Sequence, residues 1–154
     1  MIAIRPYHDA DLDALKVLMS ELQAHERQFD PLHVEATPEF AAWYLARLFK
    51  HIEQNRGITL VAADGDSICG FGSAYVEEDS ERQQEYFYIS DLSVSGNYRG
   101  KGIDTQLIAA LEAIARERGM KRIGIGVMVA NEGAYQLYRR LGFADYVISL
   151  FKEL

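Results

Sequence analysis

The sequence predicts an α/β domain in which helices cover both faces of a central sheet, and three observations carry that expectation. The stretch Tyr86 to Val94 alternates residues that are partly apolar on both sides, as in a central strand covered twice. Directly after it, Tyr98 to Gly119 runs from a glycine-rich turn into an amphipathic helix, and Arg122 to Val129 reads as a further strand. Upstream, Ile58 to Ala63 and Ile68 to Val76 are apolar-rich and joined through Asp64-Gly65-Asp66, a hairpin signal. One domain spanning residues 1–154 is expected.

In chain order, Ile2, Ile4 and Pro6 suit an edge strand, where proline is tolerated at the end. Asp9 reads as the N-cap of a helix carrying Leu12, Leu15, Leu18, Met19 and Leu22 and ending near Ala24. His25 to Ala36 is irregular and holds Glu26, Phe29, Asp30 and His33, a segment that is either a solvated connector or part of the wall of a substrate pocket. Thr37 caps the next helix and Pro38 takes its first position, where a missing N–H costs nothing. Phe40, Tyr44, Leu48 and Ile52 form its apolar stripe, and Gly57 stops it. In the central strand Tyr86, Tyr88, Ser90, Leu92 and Val94 are expected on one face, with Phe87, Ile89, Asp91 and Ser93 on the other. Gly124 and Gly126 share a face of the following strand, which implies the close approach of a helix or a ligand.

Composition narrows the function. The formal net charge of −7 argues against nucleic acid, whose phosphates demand clustered Lys and Arg, and favours cationic substrates. No apolar run is long enough to cross a bilayer, and the first residues lack the basic-then-apolar pattern of a secretory signal, so a cytoplasmic protein is expected. His8, His25, His33 and His51 have no metal-ligand spacing, so no metal is expected. The lone Cys69 lies between apolar neighbours and reads as packing.

The glycine turn is the chemical signal. The first N–H groups of a helix lack internal partners and sit at its positive dipole end, so a turn without side-chain bulk there can present them to phosphate. Taken alone, Gly100 and Gly102 are equally well a tight loop. The ordered set Arg99-Gly100-Lys101-Gly102-Ile103-Asp104, then Asn131, Leu137-Tyr138 and Gly142-Phe143, resembles the GNAT superfamily of N-acetyltransferases over nearly the whole chain. The resemblance implies a mixed, mostly antiparallel α/β (α+β) sheet with helices on both faces, whose two parallel central strands splay apart around acetyl-CoA.

On that resemblance, the main chain at Leu92 and Val94 would hold the pantetheine arm. The N–H groups of Arg99, Gly100, Lys101, Gly102, Ile103, Asp104 and Thr105 would hold the pyrophosphate, and Asn131 would help with the pantetheine or serve as a helix cap. The reaction implied is direct attack of a small-molecule or peptide amine on the acetyl thioester. An N–H near Val94 would stabilise the oxyanion and Tyr138 would act as general acid. On periodicity alone Tyr138 reads instead as part of the stripe Ala134, Leu137, Tyr138 and Leu141. Family acids at the positions of Ser90 and Gly126 are missing, which leaves Asp91 as the carboxylate for the base role ahead of Glu85 and Glu26. Asp104 stands where the family has Gly or Ala and is expected to weaken cofactor binding. The competing expectation is a non-catalytic module of the same fold that binds CoA or another ligand. A homodimer accords with the resembling family.

Overall fold

A computed structural model describes residues 1–154. Its sheet has five strands in the order β1 (Ile2–Pro6), β2 (Ile58–Asp64), β3 (Ser67–Asp79), β4 (Gln84–Val94) and β5 (Ile123–Ile125). The first four are antiparallel and β4–β5 is parallel. Helices α1 (Leu12–Glu26) and α2 (Pro38–Gln54) cover one face, where Leu15, Leu18, Leu45 and Leu48 pack on Val61 and Phe71. Helix α3 (Ile103–Glu117) covers the other, setting Ile103, Leu107, Ile108, Leu111 and Ala115 against Leu60, Ala74, Phe87 and Ile89. Helix α4 (Glu132–Arg140) lies on this second side, with Tyr138, Leu141 and Phe143 against the same cluster. No helix is long and apolar enough to cross a membrane.

Local chemistry explains most boundaries. The Thr37 hydroxyl accepts from the Phe40 N–H at 3.1 Å and Pro38 opens α2, as the sequence predicts. The hairpin between β2 and β3 turns at Gly65, whose φ of 60° suits glycine. Asp9 is not the cap expected of it. A 3-10 turn over Asp9–Asp11 precedes α1, and Asp11 accepts from the His8 N–H at 2.9 Å while both its oxygens take bonds from Arg5 at 2.8 Å. The stripe of α2 is also rotated from expectation: Ala41 and Leu45 are buried with Leu48 and Ile52, while Phe40 and Tyr44 are half-buried and line a cavity.

One correction matters for function. The expected faces of the central strand hold only as far as Ile89. Ile89 pairs with Ala74 and Asp91 with Ser73, so Ser90 is an extra residue, a β-bulge. Because side chains alternate, inserting one residue turns everything beyond it over. Phe87 and Ile89 therefore face α3, whereas Asp91 and Ser93 face α1 and α2: Tyr44 donates to Asp91 at 2.8 Å and the Ser93 hydroxyl to the Leu18 carbonyl at 3.2 Å. The strand expected over Arg122 to Val129 is likewise shortened to Ile123–Ile125, because beyond Ile125 it leaves β4.

Candidate active site

The parallel pair β4–β5 is joined only from Phe87 to Ile89 and from Ile123 to Ile125, and then parts. The bulge decides what lines the opening. The Ser95 N–H bonds to the Cys69 carbonyl at 2.8 Å and Ser93 pairs with Phe71, so by alternation the main-chain groups of Leu92 and Val94 point away from β3 into the gap. This half of β4 is a bare strand edge, able to pair with an extended ligand as another strand would.

At its end lies the glycine turn. Gly100 and Gly102 have φ of 75° and 74°, which costs glycine nothing, and a Cβ at either would meet no atom within 4 Å. From Arg99 through Asp104 no main-chain N–H has a protein acceptor, and the first internal bond of α3 is Gln106 N–H to Gly102 carbonyl at 3.1 Å. Six amides leading into the positive end of a helix are thus free for an anion. The Thr105 amide is not free, because the Asp104 carboxylate accepts from it at 2.8 Å. Nearby cations are committed only weakly: Arg99 Nε reaches the Val94 carbonyl at 3.4 Å, and Lys101 lies over the Tyr98 ring at 5.0 Å.

Turn and bare edge border one groove of about 710 Å³, lined also by Asn131, Leu137 and Tyr138 from the start and inner side of α4. Asn131 caps α4 by accepting from the Ala134 N–H at 3.3 Å, so its structural role is established locally. The Tyr138 hydroxyl has no protein partner, and burial, with smaller contributions from Asp104 and Glu26, pushes its pKa up to about 12. Gly126 lies against Tyr88: a Cβ there would sit 3.0 Å from the phenol oxygen, so any larger residue needs the tip of that ring to shift by a few tenths of an ångström.

A second cavity of about 300 Å³ opens on the α1–α2 face, lined by Tyr44, Ser90 and Asp91 among others. The two spaces share Leu22, Glu26, His33, Leu92, Gly126 and Tyr138, so they meet through the parting of β4 and β5. Asp91 is buried there, receiving bonds from Tyr44 at 2.8 Å and Ser90 at 2.7 Å; burial raises its pKa despite both bonds. Glu26 is raised by burial too, against the opposing pull of His33, whose Nε2 is 3.2 Å away and whose Nδ1 is 3.0 Å from Asp30. The structure therefore brings together the turn, Leu92, Val94, Asn131, Tyr138 and Asp91. It leaves Glu85 outside, paired with Arg56 on the surface.

Tyr44 and Tyr88 are not legible as site residues. Tyr44 is 47 positions from Asp91 and has the spacing of a core stripe, so nothing local marks it.

Comparison with known proteins shows the family and the fold. The family model described as acetyltransferase (GNAT) family matches residues 19–143. The chain belongs to the GNAT family. It is 31% identical over 83 residues to YycN of Bacillus subtilis, an uncharacterized N-acetyltransferase, the match spanning 54% of this chain and 53% of that protein. It is 35% identical over 104 residues to N-alpha-acetyltransferase 30 of Schizosaccharomyces pombe, spanning 67% of each. The chain thus covers about half the length of the first relative and two thirds of the second. An acetyltransferase of Trypanosoma brucei superposes with a TM-score of 0.75 at 22% identity, covering 100% of both chains, which shows the shared fold.

Proposed function

We propose that this GNAT protein is an N-acetyltransferase that moves an acetyl group from acetyl-CoA to a primary amine of a small molecule or peptide, by direct attack within a ternary complex. The observation that carries the reading is the continuity of the groove: bare amides from Arg99 to Asp104 lead to the bare edge at Leu92 and Val94, and that edge to Tyr138. The residues present fit the co-substrate, since the turn suits a diphosphate and the strand edge suits an amide-bearing arm; Asp104 is the one discordant group.

The chemistry then divides among named residues. The amine enters from the second cavity, where Asp91 holds the ammonium and accepts its proton, a role helped by burial, which raises the carboxyl's pKa. The neutral amine adds to the thioester carbonyl to form the C–N bond and a tetrahedral oxyanion, whose collapse breaks the C–S bond, while the excess proton on the new amide nitrogen leaves to water and so replaces the proton that Tyr138 gives up. An N–H of Val94 or its neighbour is in place for developing charge on the thioester oxygen, and Tyr138, which keeps its proton far above neutral pH, protonates the departing thiolate. Two specific observations give the non-catalytic alternative its weight: the Asp104 carboxylate occupies the Thr105 amide, and the buried Asp91 is engaged on both oxygens.

A thiol-release assay with acetyl-CoA and an amine panel separates the two. Turnover in the native protein that drops about 100-fold or more in Tyr138→Phe supports catalysis. Cofactor binding without turnover on any amine supports the module.

A further inference from the structure

The β-bulge at Ser90 sets Asp91 on the same face of β4 as Tyr88 and Tyr86. Across the strand pair Tyr75 lies opposite Tyr88 and Glu77 opposite Tyr86, so three phenol rings and a carboxylate form one row on that face. The Tyr88 ring stands edge-on to both others, 5.8 Å from Tyr75 at 61° and 6.5 Å from Tyr86 at 82°. On the other side of β4 the neighbouring strand offers only Gly124 beside them, where a Cβ would come 3.5 Å from the Tyr86 ring. With no side chain there, the two rings lean over β5 and all three tyrosines stay half-buried. The cations nearby are spent elsewhere: Arg122 and Arg82 both pair with Asp79, at 2.8 and 3.1 Å, and Arg56 pairs with Glu85. Glu77 has no ion-pair or hydrogen-bond partner, and its charge bears on all three phenols, whose pKa values burial raises first and Glu77 raises further.

A half-buried carboxylate beside aromatic rings set nearly at right angles is the chemistry that holds an ammonium, by charge and by the negative faces of the rings. Arg122 already exploits it from one side, its guanidinium 5.5 Å from the Tyr86 centroid. The row also leads to the reacting centre. Asp91 lies opposite Ser73, four residues before Glu77 on β3, so at about 3.4 Å per residue the two acids stand roughly 13 Å apart on one face, with Tyr75 and Tyr88 between them. Tyr88 lines the cofactor-sized groove as well. We propose that the acceptor is an elongated dication, whose reacting amine lies at Asp91 and whose second ammonium lies among Tyr75, Tyr86 and Tyr88 against Glu77. The placing of the first amine rests on the N-acetyltransferase reading; the second site stands on the row alone. An acceptor with a carboxylate at its far end meets Glu77 and is repelled, and a short diamine reaches only one of the two acids. The chain's net charge of −7 draws a dication toward both.

Isothermal titration of the full chain without acetyl-CoA, using diaminodecane, diaminobutane and aminodecanol, tests the second site. Diaminodecane spans the two acids when extended, and aminodecanol matches its length with a hydroxyl in place of one amine. Diaminodecane is expected to bind about tenfold or more tightly than either of the others. In Glu77→Gln, which keeps the side chain's size and the main-chain ladder, its advantage over aminodecanol is expected to fall to about twofold or less. Equal binding of the three compounds, or an advantage that survives in Glu77→Gln, overturns the proposal whether or not any amine is acetylated. Thiol release from acetyl-CoA with the same compounds reads the underlying function separately, and diaminodecane is expected to show the lowest KM. Preferential binding of diaminodecane with no acetyl transfer to any amine would uphold the ammonium site while the N-acetyltransferase reading fails.

Discussion

Replacing Asp104 probes the discordant group in the proposed diphosphate turn directly. Its carboxylate bonds the Thr105 amide at 2.8 Å, the next donor after the free series from Arg99 to Asp104, so a diphosphate on that series meets a negative charge at close range. Taking about 5 Å between charges, and an effective dielectric of about 20 to 80 for a half-exposed groove, repulsion costs roughly 1 to 3 kcal/mol. Affinity for acetyl-CoA is therefore expected to rise on the order of tenfold to a hundredfold in Asp104→Gly. Asp104→Asn keeps the side chain's shape and its acceptor oxygen, so it isolates the charge and is expected to recover most of the gain. An acid in the first turn favours the helix by about 0.3 to 1 kcal/mol, so both variants are expected to melt slightly lower while binding more tightly. Isothermal titration at low and high salt measures this, and the native-to-variant difference should shrink as salt screens the charge. Equal affinities of the three proteins at low salt would refute the reasoning.

Three further outcomes follow from particular contacts. Asp91→Asn is expected to raise KM for the amine about tenfold or more in steady-state assays. Because burial holds the native Asp91 carboxyl above its unfolded value, native stability falls as pH rises from the ordinary carboxylate range upward, so the variant's melting temperature should gain on the native as pH goes from about 4 to about 7. Asp11 behaves oppositely: bonds from Arg5 depress its pKa, so its contribution is full above about pH 4 and is lost as pH falls through the lower folded value. Asp11→Asn should cost about 2 kcal/mol in urea titrations at pH 7, the difference closing in acid. Gly57→Ala would place a Cβ 2.6 Å from the Ala74 carbonyl oxygen and is expected to cost more than about 2 kcal/mol, whereas Gly65→Ala, with open space and a φ of 60°, should cost only about 1 kcal/mol. Similar melting curves for the two alanine variants would contradict this account of Gly57.

Much of the fold could be read locally. Thr37 and Pro38 start α2, Gly65 turns a hairpin, and Ile103, Leu107, Ile108, Leu111 and Ala115 recur on one face of α3 and are all buried there. The glycine turn is readable for the same reason, since a left-handed glycine turn ahead of an apolar helical stripe needs only neighbouring residues to specify it. Less of the second cavity is. The stripe containing Phe40 and Tyr44 has core spacing, yet α2 packs through Ala41 and Leu45, which leaves those two rings at the cavity wall. Glu26 and His33 sit in a segment without periodicity, and only the fold sets them opposite Tyr138.

The amino-acid order by itself determined most of the elements, the glycine turn and the place of Tyr138 on its helix. Which way Asp91 faces, and that β4 and β5 part beyond Ile89, were decided only in three dimensions. Alternation along a strand is local, but a bulge exists only relative to the strand beside it: Ser90 is surplus because Ala74 and Ser73 are consecutive while Ile89 and Asp91 are not. That single mismatch turns a carboxylate toward the second cavity and leaves the main chain at Leu92 and Val94 facing the gap.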